Sequence, residues 1–272
     1  MGLHPLPARV DSRTVNMYDA FSSDYDRFVD WPGRLKLELP FLVSQLNASG
    51  ARRVLDAACG TGRHAIALAQ RGFDVAGADL SGNMITRATA NAREADVAAE
   101  FRQAGFGDLA SAYGRASFDA VICLGNSLPH VLDPAHLTKT LDDFVACLRP
   151  AGMLIVQNRN FDAVLASRQR WMEPQMHREG EREWLFLRFY DFDPDGLLTF
   201  NVITLRREAN APWEQATVST RLRAQPQAEL AKALSESGFA SLTFFGDMSG
   251  SAFDAVSSGN LVIVCRTRKG SA

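Results

Sequence analysis

A glycine-rich turn at residues 56–62, of sequence DAACGTG, follows an apolar run that predicts a strand. Gly60 and Gly62 let the backbone approach a ligand closely, and they place free amide groups at the start of the next helix. A second short apolar run ends at Asp79, whose carboxylate can accept hydrogen bonds from both hydroxyls of a ribose. This order of strand, glycine turn, helix, strand and acid therefore predicts a site for an adenosine-containing cofactor.

The form of the turn narrows the choice of cofactor. The turn is not the G-x-G-x-x-G of dinucleotide sites, which argues against a nicotinamide-dependent reduction. The sequence DAACGTG instead indicates S-adenosylmethionine, and therefore methyl transfer. Asp56 closes the first predicted strand, where it could orient the turn or accept a hydrogen bond from the ammonium group of the cofactor.

Two polar residues follow two further predicted strands and are candidates for binding the methyl acceptor. Asn126 comes just after the strand predicted at 118–124, and Arg159 just after the one at 152–157. Because parallel strands place ligands at their carboxyl ends, both side chains should face one cleft. A guanidinium there can hold a carboxylate through two parallel hydrogen bonds. The alternatives are a salt bridge that anchors a lid, for Arg159, and capping of a turn, for Asn126.

Methyl transfer is an in-line displacement at a sulfonium carbon, and three more residues suit it. The protein must align donor and acceptor, exclude water and present an unprotonated nucleophile. Tyr18 and Tyr25, in a helix predicted over residues 13–30, could stabilise the sulfonium, although helix packing would also explain them. His130 could take a proton from the acceptor, and a hydrogen bond within its loop is the alternative.

Several segments resemble known methyltransferases. The motifs of class I S-adenosylmethionine-dependent methyltransferases are similar to residues 56–62 (DAACGTG), 78–81 (ADLS) and 118–127 (FDAVICLGNS). More narrowly, residues 122–130 (ICLGNSLPH) and 158–162 (NRNFD) resemble the glycine N-methyltransferase and glycine/sarcosine N-methyltransferase family. In that family a C-L-G-N-S segment ends strand four and an R-N-Y-D segment ends strand five. The resemblance covers about residues 52–162 and extends more weakly to a hairpin beyond them.

The resemblance implies roles for individual residues of the cofactor site. Gly60, Thr61 and Asp79 would line the cofactor, and Leu80 would lie along its adenine. Arg34 would pair with the carboxylate of the cofactor, and Leu124 would offer a backbone carbonyl to its amine. The other residues that we expect in the cofactor site are Tyr18, Asp56, Ala58, Gly62, Met84, Gly105 and Phe106.

The resemblance also implies an acceptor. Asn126 and Arg159 would face it, with Arg159 pairing with its carboxylate, and Tyr18 and Tyr25 would lie near the methyl group. Together with His130, these residues predict a small amine nitrogen, such as that of glycine or sarcosine, as the acceptor.

The chain departs from the family in two places. After strand three the family tends to carry an acid or amide followed by Trp, where this chain has Gly105 and Phe106. Phe106 can still stack on adenine, and Asp108 could replace the missing acid. Residues 219–225 lack the tyrosine that is usual there. These departures leave two alternatives open: a natural product or other small metabolite as acceptor, and a binding module without catalysis, against which the intact cofactor motifs argue.

The elements around these residues predict an α/β fold. Apolar runs predict strands at 53–57, 74–78, 98–103, 118–124, 152–157, 240–245 and 260–266, with helices at 34–47, 62–71, 81–95, 134–148 and 226–237. Residues 150–152 predict a break between a helix and strand five, and Asp142 and Asp143 are expected on a solvated face of the helix at 134–148. Strand-like runs at 184–190, 198–205 and 216–220, with a turn at 193–196, predict an antiparallel β lid inserted after strand five. We therefore expect a Rossmann-like, seven-stranded class I methyltransferase sheet with helices on both faces.

We expect the 272 residues to form a single methyltransferase domain. It would consist of a helical cap at about 13–48, a core at about 50–158 and 226–268, and the lid at about 160–225.

The charge and composition of the chain limit the binding partners and the cellular compartment that we expect. The net charge of −2 gives no reason to expect a nucleic-acid or membrane surface, and no apolar run approaches the ~20 residues of a membrane helix. The N-terminus lacks the apolar region of a signal peptide, and the four scattered cysteines fit buried free thiols in a reducing cytosol. The histidines and cysteines show no metal-ligand spacing. We expect a cytoplasmic enzyme with a small-molecule acceptor, and the family resemblance suggests a homo-oligomer.

Overall fold

The computed structural model describes Met17, Asp19 and residues 24–268, and these residues contain two β-sheets. The strands of the larger sheet are β1 (Arg53–Ala57), β2 (Asp74–Asp79), β3 (Glu100–Gln103), β4 (Phe118–Cys123), β5 (Leu148–Arg159), β10 (Phe239–Phe245) and β11 (Asn260–Thr267). The strands of the smaller sheet are β6 (Gln175–Glu179), β7 (Arg182–Phe192), β8 (Leu198–Glu208) and β9 (Glu214–Leu222).

The described helices are α1 (Tyr25–Phe28), α2 (Trp31–Ser49), α3 (Arg63–Ala69), α4 (Gly82–Glu94), α5 (Leu109–Tyr113), α6 (Pro134–Cys147), α7 (Phe161–Ser167) and α8 (Gln227–Glu236), with a 3₁₀ turn at Leu128–His130. Side-chain caps fix where several of them begin. Asp133 accepts a hydrogen bond from the amide of His136 at 2.8 Å, and Asn160 from that of Ala163 at 3.3 Å. Each cap satisfies an amide that the first turn of a helix would otherwise leave unpaired.

The larger sheet has the seven strands predicted for a class I methyltransferase fold, in the order β10-β11-β5-β4-β1-β2-β3. The pairs β1–β2, β1–β4, β2–β3 and β4–β5 are parallel, and β11 runs antiparallel to both of its neighbours. Residues alternate between the two faces along β4, where Val121 and Cys123 pack in one apolar cluster and Ala120 and Ile122 in the other. The first cluster holds residues of α6 and α8, and the second holds residues of α2 and α3. The predicted helices on both faces are therefore confirmed.

The smaller sheet is the predicted antiparallel lid, with the order β6-β7-β8-β9. Trp184, Phe186 and Tyr190 of β7 are buried on one face at the two-residue spacing of a strand. The turn between β7 and β8 closes at Gly196, whose φ of 82° lies in the left-handed region that glycine tolerates. The sequence pattern missed β6, because its residues Gln175 to Glu179 are mostly polar and exposed.

Three local predictions were wrong. The segment at 150–152 was expected to break the chain before strand five, but it lies within β5, and Ala151 takes a φ of 62° there. The helices α5 and α7 were not expected, because each is too short to show a period. Asp143 was assigned to a solvated helix face, but it is buried and accepts backbone hydrogen bonds from Gly107, Leu109 and Ala110.

The cysteines and the helices were also compared with the sequence-based expectations. Cys59, Cys123, Cys147 and Cys265 are free and buried, as predicted. Among the described helices, none is both long enough and apolar enough to cross a bilayer.

Candidate functional site

The glycine turn is tied to the end of β2 by Asp79. One carboxylate oxygen of Asp79 accepts a hydrogen bond from the amide of Gly60 at 2.9 Å, and the other accepts one from the amide of Ser81 at 2.9 Å. Gly62 takes a φ of 78°, and a Cβ atom there would lie 2.9 Å from the ring of Phe101, so only glycine fits. Because a carboxylate has about four acceptor positions, Asp79 can hold both amides and still accept hydrogen bonds from a ligand.

Asp56 lies buried at the end of β1, beneath this turn. Its Oδ2 atom has no hydrogen-bond partner among the described residues. Burial, and then the negative charge of Asp79, raise the pKa of Asp56 to about 7. Burial also raises the pKa of Asp79. Two neighbouring acids, one of which has an oxygen atom without a hydrogen-bond partner, form a site suited to a positively charged ligand.

A cavity beside the glycine turn, here called the turn cavity, brings most of the predicted cofactor residues together. Its predicted lining residues are Tyr25, Ala58, Gly60, Asp79, Leu80, Met84, Gly105, Phe106 and His130. Its unpredicted lining residues are Ala104, Gly125, Ser127, Val131 and His136. The polar atoms of Asp79 and Gly60 thus adjoin the apolar side chains of Leu80, Met84 and Phe106, as a ribose and an adenine require.

Four of the predicted residues lie behind this lining. Asp56, Thr61, Gly62 and Leu124 are buried, and the carbonyl of Leu124 accepts a hydrogen bond from the Ser127 hydroxyl at 2.8 Å. Asp108 is exposed and lines neither this cavity nor the one described below. It therefore does not replace the acid that is missing after β3.

The N-terminal residues cover the turn. A Cβ atom on Gly60 would lie 3.5 Å from the ring of Tyr25, so the ring lies directly over the turn. Burial raises the pKa of Tyr25 to about 12, and the phenol is therefore neutral at physiological pH. Tyr18 lies outside the described residues.

Asp26 fastens this covering segment to the turn. Its carboxylate accepts hydrogen bonds from the hydroxyl of Thr61 at 2.6 Å, from the guanidinium of Arg63 at 2.6 Å, and from the indole of Trp31 at 3.0 Å. Burial opposes its ionisation, but these hydrogen bonds keep the pKa of Asp26 below its usual value. The sequence did not identify Asp26, because Thr61 and Arg63 lie 35 and 37 residues away from it and no local pattern distinguishes it.

Arg34, a predicted cofactor residue, does not line the turn cavity, and it is already paired. Its Nε atom donates to both oxygens of Glu38, at 3.0 and 3.1 Å, and Glu38 also contacts Nε2 of His64 at 2.6 Å. The other end of the guanidinium lies near Gly125, where a Cβ atom would be 3.6 Å from Nη2. Arg34 therefore keeps its Nη groups as the donors that a cofactor carboxylate could use.

A second cavity, here called the lid cavity, has a volume of about 450 Å³ and lies between the core sheet and the lid. Asn126 and Arg159 both line it, as predicted from the strand ends. The side-chain oxygen of Asn126 accepts a hydrogen bond from the amide of Arg159 at 2.9 Å. This bond ties the ends of β4 and β5 together and leaves the NH₂ group of Asn126 as a donor. Asn126 thus both holds the loop after β4 against the end of β5 and lines the lid cavity.

Arg159 makes no salt bridge with the described residues, so the lid-anchoring alternative finds no support. Its Nε atom is buried and has no hydrogen-bond partner in the described part of the chain. Arg188 and Tyr190 of the lid line the same cavity, and neither was predicted. The alternation along β7 places both on the face of Trp184 and Phe186, but it does not show that this face lines the cavity.

His130 lines both cavities. Burial lowers its pKa to about 4, so the imidazole is neutral at physiological pH. Its backbone amide donates to the carbonyl of Ser127 at 3.1 Å and closes the 3₁₀ turn. A neutral imidazole at the junction of the cavities can accept a hydrogen bond from an amine.

The chain is similar to known methyltransferases. A sequence profile described as a methyltransferase domain matches residues 54–152. A glycine/sarcosine N-methyltransferase of Parasynechococcus marenigrum (strain WH8102) is 35% identical over 237 residues, which are 84% of this chain and 77% of that protein. A glycine/sarcosine N-methyltransferase of Halorhodospira halochloris is 39% identical over 166 residues, but this match spans only 61% of the relative's length.

A solved structure shows the same fold. It is an S-adenosylmethionine-dependent methyltransferase from Clostridium acetobutylicum ATCC 824, with 18% identity and a TM-score of 0.75. The match covers 92% of this chain and 99% of the other.

Proposed function

Since the chain belongs to the glycine/sarcosine N-methyltransferase family of S-adenosylmethionine-dependent methyltransferases, we propose that it methylates the nitrogen of a small amino acid such as glycine or sarcosine. The observation that carries the proposal is the position of Arg159. Its guanidinium lines the lid cavity next to Asn126 and lacks an acidic partner among the described residues. A carboxylate on the acceptor would supply that partner.

The residues that line the turn cavity, together with neighbouring ones, fit the cofactor. The unpartnered Oδ2 atom of Asp56 and the raised pKa of Asp56 suit the ammonium group of the cofactor, and Asp79 suits a ribose. Leu80 and Phe106 would hold the adenine of the cofactor, and the Nη groups of Arg34 would bind the carboxylate of the cofactor. S-adenosylmethionine supplies a methyl group that its positively charged sulfur has already activated for transfer.

The protein's contribution is position and exclusion of water. Arg159 and Asn126 would orient the acceptor, and Tyr25 and the lid would close the site over it. His130 is neutral and would hold the amine through a hydrogen bond. With a pKa of about 4, His130 is a weak base, so it would position the amine rather than fully deprotonate it.

Replacing Arg159 tests the proposal. We expect Arg159→Ala to raise the acceptor KM by roughly 10- to 100-fold, because it removes hydrogen bonds to a charged group. The cofactor Kd should stay nearly unchanged. The matched control is Arg149→Ala, at the exposed opposite end of the same strand, where Arg149 pairs with Asp119 at 2.5 Å. An acceptor KM that does not respond to Arg159→Ala would contradict the proposal.

A natural product or other small metabolite is the second candidate acceptor. The volume of the lid cavity, about 450 Å³, favours it, because this exceeds the space that glycine occupies. Methylation of a bulky amine or phenol without any carboxylate would support this alternative.

We also infer that the enzyme is cytoplasmic, that it does not bind nucleic acid, and that it self-associates. Its net charge of −2 and its buried free cysteines support the first two inferences, and the family membership supports the third. Analytical ultracentrifugation would test the oligomeric state.

A further inference from the structure

Two arginines reach the lid cavity from opposite sides. Arg159 ends β5 of the core sheet, and Arg188 lies in the middle of β7 of the lid. The Nε atom of each is buried and has no hydrogen-bond partner within the described residues. Such a pair is unusual, because buried guanidinium groups are normally satisfied by an acid or a carbonyl.

The other contacts of Arg188 do not neutralise its charge. One Nη atom donates to the backbone carbonyl of Glu173 at 3.3 Å, and the guanidinium lies 5.1 Å from the ring centre of Phe28. Burial, and then the positive charge of Arg159, lower the pKa of Arg188. The two charges are therefore close enough to repel each other.

Neither of the acids that line this cavity, Asp30 and Glu38, forms an ion pair with Arg159 or Arg188. Glu38 is held by Arg34 and His64. Asp30 is exposed and caps α2 by accepting a hydrogen bond from the amide of Gly33 at 3.2 Å. Among the described residues lining this cavity, Arg159 and Arg188 thus have no acidic partner, whereas the third arginine, Arg34, is paired with Glu38.

We propose that Arg188 is a specificity-determining residue, which binds the anionic group of the methyl acceptor from the lid side while Arg159 binds it from the core. A carboxylate has two oxygens with about four acceptor positions, so it can accept hydrogen bonds from both guanidinium groups. The pair selects acceptors that carry a carboxylate over neutral amines of the same shape. The inference rests on the proposed function and adds to it a second binding residue, contributed by the lid.

The test compares charged and neutral acceptors. Each variant is assayed with glycine and glycinamide, and with sarcosine and sarcosinamide, by release of S-adenosylhomocysteine. The measured quantity is the ratio of kcat/KM for the carboxylate to that for the amide. We expect Arg188→Met to lower this ratio by roughly 10-fold or more and Arg188→Lys to lower it less, while the cofactor Kd stays within about twofold. The control is Arg182→Met, an exposed position on the same strand, which should not change the ratio.

The outcomes separate the inference from the proposed function. A ratio that falls in Arg159→Met but not in Arg188→Met or Arg188→Lys would overturn the role of Arg188 and leave the proposed function standing. Equal losses with carboxylates and amides would show that Arg188 only packs the lid, and would also overturn it. A wild-type enzyme that methylates only neutral amines would overturn both.

Discussion

Two carboxylates set the electrostatic character of the cofactor site. Asp56 and Asp79 lie at the ends of the neighbouring parallel strands β1 and β2, and burial, followed by the charge of Asp79, raises the pKa of Asp56. In the free protein this arrangement is unfavourable, because Asp56 is buried and one of its oxygens lacks a partner among the described residues. A cofactor with an ammonium group and a sulfonium would offset that cost.

The pKa of Asp56 predicts how cofactor affinity depends on pH. A positively charged ligand favours the ionised carboxylate, so binding below about pH 7 should release a proton. The Kd for S-adenosylmethionine should therefore fall as pH rises toward about 7 and should level off above it, with a slope of at most about tenfold per pH unit. Isothermal titration calorimetry in buffers of different ionisation enthalpy measures both quantities.

Asp56→Asn serves as the control for this pH dependence. It should bind the cofactor more weakly at neutral pH and should lose the dependence between about pH 5.5 and 7.5. A wild-type Kd that does not change across this range would mean that Asp56 does not contact the charged part of the cofactor.

At the scale of elements, short segments are held in place by single acids from distant parts of the chain. Asp26 fastens the N-terminal segment to the glycine turn, and Asp143 of α6 holds the loop that carries Gly105 and Phe106. The sequence predicted the long strands and helices, because their apolar residues follow regular periods. It did not predict these two acids or β6, because their positions depend on tertiary partners rather than on a local pattern.

Asp143 and its neighbour Asp142 form a matched pair for testing this. Asp143 is buried and accepts three backbone hydrogen bonds, at 3.0, 2.8 and 2.9 Å, whereas Asp142 is exposed. We expect Asp143→Asn to lower the free energy of unfolding by about 1–3 kcal/mol and Asp142→Asn to change it by less than about 0.5 kcal/mol. Urea denaturation of both variants gives the comparison, and equal effects would refute it.

The hydrogen bonds of Asp26 should contribute to the stability of the folded protein. The Asp26→Asn substitution weakens charge-assisted hydrogen bonds, so we expect a loss of about 1–2 kcal/mol in the free energy of unfolding. Because its pKa is lowered, the stabilisation from Asp26 should be fully present above its usual pKa and lost as pH falls through the lowered value. Asp24→Asn, two residues earlier, removes only a partly exposed contact to Arg27 at 3.3 Å and is the control. Matching losses in thermal and pH-dependent unfolding would argue against the fastening role.

At the scale of the whole molecule, the turn cavity is lined largely by the core, and the lid cavity is lined by the core and the lid together. The carboxyl ends of β1, β2, β4 and β5 meet at one edge of the sheet, as parallel topology requires, so the strand-end residues could be predicted from sequence. The side chains of the lid cannot be placed in this way, because the lid is an antiparallel sheet outside the core. Which of its side chains enter the cavity depends on how the smaller sheet packs on the core, and for that reason Arg188 and Tyr190 were missed.

The most direct test of the central claim is a methylation assay with the purified wild-type protein. S-adenosylmethionine is offered together with glycine, sarcosine, their amides, amino sugars and phenols, and both S-adenosylhomocysteine and the methylated product are quantified. We predict one equivalent of N-methylated product per S-adenosylhomocysteine with glycine or sarcosine, and much slower turnover of acceptors without a carboxylate. Turnover confined to amino sugars or phenols, or the absence of any methylated product, would contradict the account.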